Sequence, residues 1–242
     1  MVAVRTHEND VRGATVAAAM RLFAAHGFEG TALQDIADAV GVSKPAVLHH
    51  FPSKEHVRQA VLDAILSHWN EALPRLLLAA TGSGDRFDAV FGELYRFFSS
   101  NPDRARVVAR EMLDRPTELR KLLRSSVQPW LGAVAGYIRA GKERGLHYAE
   151  VDDEAYLIHI LLLVITATAS ASVTSSALEN DARTRYDREL ARIARASLFP
   201  PQASHAKRER GPSELHAGTA NAPNTANAKK VTSESRKRKA AR

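Results

Sequence analysis

Residues 31–51 read TALQDIADAVGVSKPAVLHHF, and this stretch decides the fold class. Leu33, Ile36, Ala37 and Val40 recur at helical spacing and give one inner face. Gly41-Val42-Ser43 then makes a three-residue corner, in which glycine accepts a positive φ at no steric cost. Ala37 is small enough for a second helix to approach, and Val42 and Val47 close the junction. Ser43 is placed to cap that second helix, which the pattern carries to His50 or Phe51. Pro45 is tolerated because the first turn has no backbone acceptor to lose. The result is a helix-turn-helix whose second helix turns its N-terminus outward, within reach of a phosphate or a base edge. A plain αα-hairpin is the competing reading and needs only some of these features.

Working outward, the periodicity stays helical and no alternating β-branched run with hairpin turns appears, so the chain reads as all-α. A first helix is expected over 8–26, with Val16, Ala19, Met20 and Phe23 on one face and Gly27 just past its end. Thr31 is the expected N-cap of the next helix. A long helix begins near Ser53 and runs to about Pro74 or Ala80, and residues 81–84 form a loop. Helices over 85–99 and 103–114 follow, stopped at Asn101-Pro102 and Arg115-Pro116. One helix is expected over 117–145, bent at Pro129. Val151-Asp152-Asp153-Glu154 suits the positive end of an apolar helix over 154–175, and a last helix spans 181–199. The expected organisation is a helix-turn-helix domain over 8–52, a helical ligand-binding and dimerisation domain over 53–199, and a basic tail over 200–242.

Charge is distributed unevenly over the 242 residues. Residues 200–242 carry ten Lys and Arg against three acids, net +7, whereas residues 1–199 hold twenty-four of each sign. The excess of the whole chain, +7, therefore belongs to the tail. That tail has no aromatic residue and only Leu215 and Val231 as large aliphatics, so it is expected to be disordered. Its end, SRKRKAAR, suits salt-sensitive nonspecific contact with nucleic acid, with a purely solubilising tail as the other reading. The absence of Cys excludes disulfides, thiol nucleophiles and Cys-based metal sites. No secretory signal is expected from the first thirty residues, which lack a continuous apolar run. YLIHILLLVITATASASV, residues 156–173, approaches membrane-span length, but His159 and a Thr/Ser-rich second half favour a helix buried in protein. No G-x-S-x-G, H-E-x-x-H, P-loop or G-x-G-x-x-G motif is present, so neither an enzyme nor a cofactor is expected.

Residues 23–57, FAAHGFEGTALQDIADAVGVSKPAVLHHFPSKEHV, resemble the N-terminal DNA-binding region of the TetR family of transcriptional regulators. The LFAAHGFEGT run, the DIADAVGVS turn and the HHFPSKE block carry the likeness, which covers roughly residues 10–60. It implies a cytoplasmic, nucleoid-associated homodimer that places two recognition helices in successive major grooves of a palindromic double-stranded operator. It also implies a small-molecule effector, bound in the helical body, that releases DNA; most members are repressors. The expected DNA-contacting set is Thr31, Ser43, Lys44, Pro45, Ala46, His49, His50 and Lys54. Lys44 suits a phosphate or a guanine edge, and Pro45 and Ala46 a thymine methyl. Lys54, unfavourable at a helix start unless an anion is near, matches a lysine that the family uses on phosphate. Leu48 departs from the family's usual Tyr and cannot donate a phenolic hydrogen bond. His49 and His50 point about 100° apart and do not suit one metal ion. Residues 1–60 balance in charge, so affinity must come from placed contacts.

The body offers Phe91, Tyr95, Met112, Trp130, Tyr137, His159 and Leu163, with Phe87, as a candidate apolar effector pocket, each residue also being plausible as plain core. The helix over 154–175, apolar around most of its circumference, suits burial on both sides, with Leu157, Leu161, Leu162, Ile165, Leu190 and Ile193 as the expected dimer contacts. Two other functions stay open on sequence: a nonspecific nucleoid-type DNA-binding protein driven by the tail, and a ligand-independent helical adaptor.

Overall fold

In the computed structural model, residues 2–81, 86–178 and 182–201 are described, and every regular element among them is helical. The head comprises α1 (Val2–His26), α2 (Leu33–Val40) and α3 (Lys44–His50). The body follows as α4 (Lys54–Thr81), α5 (Arg86–Ser99), α6 (Pro102–Asp114), α7 (Pro116–Ser126), α8 (Gln128–Glu143), α9 (Asp153–Ala169), α10 (Ala171–Thr174), a 3-10 turn over Ser175–Ala177, and α11 (Ala182–Ala196). From residue 202 the basic tail, with the expectation of disorder placed on it, lies outside the described residues, as does most of the loop expected at 81–84.

Gly27 ends α1 with φ 78° and Gly41 ends α2 with φ 77°, the left-handed conformation that stops a helix at low cost in glycine. Ser43 caps α3, its Oγ accepting from the Ala46 amide at 3.3 Å. Ile36, Ala37 and Val47 are fully buried where α2 meets α3, against Ala19 and Phe23 of α1. The core continues without interruption through Val57 and Val61 into Trp69, Phe97 and Trp130, so residues 52 and 53 mark no break in packing.

Four expectations change. Thr31 does not cap α2; Ala32 holds that position, and the Asp35 carboxylate accepts from its amide at 2.7 Å. The first helix starts well before residue 8. The helix expected over 117–145 is two helices broken at Val127, two residues before Pro129, whose missing N–H cannot continue the ladder. The apolar helix ends at Ala169 rather than Ser175, and the next helical piece leaves at 66°. Hydroxyls explain that break. Thr166 Oγ1 donates to Leu162 O, Ser170 Oγ to Thr166 O and Thr174 Oγ1 to Ser170 O, each drawing on carbonyls of the preceding turn. No single helix among the described residues is long and apolar enough to cross a membrane.

Candidate nucleic-acid interface and effector cavity

α3 sits on the rest of the head through Val47 and Phe51 and leaves its other side open. Ser43, Lys44, Pro45, Leu48 and His49 are exposed, and Ala46 and His50 are half-buried. The two His rings meet edge to face at 5.3 Å. Leu48 is 37% exposed, so an aliphatic side chain occupies the outward position where the resemblance led one to expect a phenol. Arg12 of α1 stacks its guanidinium over the Phe51 ring at 5.1 Å, which brings a cation from another helix beside α3. Helical periodicity gave no hint of that residue, because its partner is thirty-nine positions away.

Two residues of the expected DNA-contacting set face inward. Thr31 is 1% exposed, and its hydroxyl donates to Gly27 O at 2.8 Å, so its side chain has no surface to offer a phosphate. Lys54 is not a solvated cation at a helix start. Its Nζ donates to Phe28 O at 2.9 Å and stands 4.2 Å from the centre of the Phe28 ring, with 22% of the side chain exposed. The carbonyl and the ring face offset the helix dipole that disfavours a cation there.

Phe28 is where the head meets the body. Besides Lys54, the Arg115 guanidinium lies 4.5 Å from its ring and that of Arg58 6.0 Å. Arg58 of α4 makes a bidentate pair with Glu111 of α6, at 2.9 and 2.7 Å, with 5% and 7% exposure, and also donates to Glu118 of α7 at 2.6 Å. The Glu111 hydrogen bonds raise the Arg58 pKa further, and Arg58 holds the Glu118 carboxyl below its ordinary range. Arg110, one residue before Glu111, donates to the Ala24 and Ala25 carbonyls at the end of α1. α6 therefore grips the head at α1 and holds α4, the first helix of the body, beside it.

In the body, Phe87, Val90 and Phe91 of α5, Trp130, Val134 and Tyr137 of α8, and Tyr156, Leu157 and Ile160 of α9 surround an apolar cavity of about 40 Å³. Of the expected pocket residues, Phe91, Trp130 and Tyr137 line it, with Phe87; Tyr95, Met112, His159 and Leu163 do not. Tyr95 instead takes a hydrogen bond from Arg183 at 2.8 Å, and burial pushes its phenol up to about 12. His159 is exposed on the outer side of α9. The Trp130 indole N–H is buried without an acceptor.

The expected dimer contacts divide in the same way. Leu157, Ile165 and Leu190 point into the monomer's own core, and Leu161 packs against it from the flank. The outward stripe of α9 is Ile158, His159, Leu162 and Thr166, at helical spacing, with Ile158 45% exposed; Ile193 of α11 is also 45% exposed.

The sequence model of the bacterial regulatory proteins, tetR family, matches residues 16–61, which span the head and the start of α4. The regulator RutR of Escherichia coli K12 is 30% identical over 161 residues, covering 64% of this chain and 70% of RutR. The chain belongs to the TetR family. EthR of Mycolicibacterium smegmatis, also a helix-turn-helix transcriptional regulator, is 28% identical over 142 residues, 58% of this chain and 65% of EthR. The matched stretch thus spans just under two thirds of EthR's length. The crystal structure of a TetR regulator from Chloroflexus aurantiacus superposes with a TM-score of 0.56 over 80% of this chain and 98% of that one, at 24% identity, and shares the fold. The family model thus falls on α1, the helix-turn-helix of α2 and α3 and the start of α4, a likeness that a plain αα-hairpin does not account for.

Proposed function

We propose that this TetR-family chain is a homodimeric, sequence-specific DNA-binding regulator, most simply a repressor, that leaves a palindromic operator when an apolar effector enters the α5–α8–α9 cavity. The observation that carries this is the outward face of α3: a capped helix start with Lys44, Pro45 and His49 exposed beside it, backed by fully buried Val47. An operator places such a helix in the major groove, with phosphates near the α3 N-terminus and base edges near Lys44. The nucleoid-type reading differs in having no sequence preference, and the adaptor reading in having no DNA affinity.

The effector's chemistry follows from the cavity lining. No charged side chain lines it, so an ion would lose hydration without a partner, and the fitting class is a neutral, largely apolar molecule. One acceptor atom on that molecule would answer the unpaired Trp130 N–H. About 40 Å³ holds little more than a water, whereas small-molecule sites run to ~300–1,000 Å³. The effector therefore has to spread α5, α8 and α9. α9 holds α6 through Arg106, whose Nε donates to Ala169 O at 3.2 Å, and the end of α6 holds the head through Arg110 and Arg115. A shift of α9 thus reaches the spacing of the two heads by way of α6.

Lys44 and Lys54 separate under substitution. Lys44→Ala weakens operator binding with no change in thermal stability, and where the side chain reads a base it relaxes preference at one position by roughly 1–3 kcal/mol. Lys54→Ala lowers stability by about 1–2 kcal/mol, because the Phe28 carbonyl loses a charged donor and the ring its cation. Mobility shifts across single-base operator variants, with melting curves for both proteins, check this; an unchanged Lys54→Ala melting point would return that side chain to solvent.

Ending the chain at Pro201 leaves operator preference unaltered and makes the plot of log K against log [salt] shallower, since the removed segment carries the whole of the excess charge. An unchanged slope would mean that the tail does not touch DNA.

A further inference from the structure

A second cleft lies apart from the apolar cavity; no residue of α3 lines it, although Arg12, which stacks on Phe51 beside α3, does. α1, α4 and the start of α6 enclose an open groove of about 670 Å³, within the range of small-molecule sites. It shares no residue with the α5–α8–α9 cavity. Three arginines line it, Arg12, Arg21 and Arg104, and none has a carboxylate partner among the described residues. Of the two acids at the rim, Asp103 is answered by Arg106 at 3.0 Å; Asp63 accepts only from the neutral Gln59 amide at 2.9 Å. The groove therefore holds an excess of positive charge over a partly apolar floor that includes Val16 and Met20.

Arg104 is the unusual member. One guanidinium nitrogen donates to Phe97 O at 3.1 Å, and the group lies 5.1 Å from the Phe97 ring centre. Its Nε is buried with no acceptor. Burial weighs against its charge, and only Glu71 supports that charge from a distance. A half-buried cation with no carboxylate partner is costly unless an anion answers its remaining guanidinium nitrogen. We propose that this groove binds a small organic anion, a carboxylate or phosphate ester on an apolar body, with Arg104 as its anchor. The anion's head meets Arg104 and Arg21, and its body lies along Val16 and Met20. Such a ligand ties α1 of the head to α4 and α6, so its occupancy adds to the clasp around Phe28. The assignment does not rest on the DNA-binding reading, because its readout is direct binding.

Calorimetry on the full chain with decanoate and decyl phosphate as probes tests the assignment. At least one binds at one per chain, and Arg104→Gln weakens it tenfold or more. Arg21→Gln, at an exposed position, weakens it several-fold and keeps the test intact if Arg104→Gln folds poorly. Val90→Trp, which crowds the apolar cavity from its lining, leaves the affinity as it was. Three outcomes overturn the proposal: neither probe binds at millimolar concentration; both arginine variants bind as the parent does; or Val90→Trp abolishes binding, which places the anion in the apolar cavity.

Discussion

Placing Glu at both Ile158 and Leu162 yields a folded monomer whose operator affinity falls by about 10²–10⁴-fold. The two side chains stand one helical turn apart on the outer stripe of α9. Ile158 is 45% exposed, and Leu162 does not pack against the monomer's core. Their replacement therefore spares the buried core, although Leu162 is half-buried. Two Glu on each partner would bring four carboxylates together in an interface that has to be dry. With the dimer lost, each head binds its half-site alone, and the gain from linking two modules, typically 10²–10⁴-fold, disappears. Sedimentation and mobility shift on the same sample check both parts. A variant that still sediments as a dimer would move the interface off α9.

Arg58→Ala costs about 3–5 kcal/mol, because it leaves Glu111 charged and buried with no partner. For a unit of this size that lowers the melting temperature by roughly 6–20 °C. Glu118 is half exposed and returns to solvent at little cost, so Glu111 carries the penalty. Pairing Arg58→Met with Glu111→Leu removes both charges and restores most of the loss. If the single variant melts within about a degree of the parent, the Arg58–Glu111 pair does not hold α4 against α6.

The head was legible because its signals are local. Gly41, Ser43, Pro45 and the apolar spacing of α2 all act within a few residues, and the structure forms the turn and cap that they specify. Thr31 shows the limit of such reasoning. A threonine at a helix start can cap forward or donate backward, and the backward bond to Gly27 O forms where α1 ends in a left-handed glycine. Lys54 and Arg58 were misjudged or missed for a different reason: their partners, Phe28 and Glu111, lie 26 and 53 residues away. No periodicity reports such pairs.

α9 failed in a third way. It is apolar on nearly every side, so the sequence has no period to separate inner from outer. Leu157 and Ile165, expected at the dimer contact, turn into the core, and His159, whose type suits a ligand, a backbone group or a partner subunit alike, turns out. The pocket suffered similarly, since Phe91, Trp130 and Tyr137 line the cavity while Tyr95, four residues from Phe91, turns to Arg183 on α11.

Selection of bound fragments from a random duplex library, with the full chain at near-physiological salt, bears most directly on the account. Two α3 helices carried by a symmetric dimer predict enrichment of one inverted repeat whose half-sites lie about 10 base pairs apart, or a multiple of that spacing. Lys44→Ala should weaken or alter that selection. Retention of all sequences alike, or of none, would contradict a regulator that reads its operator through α3.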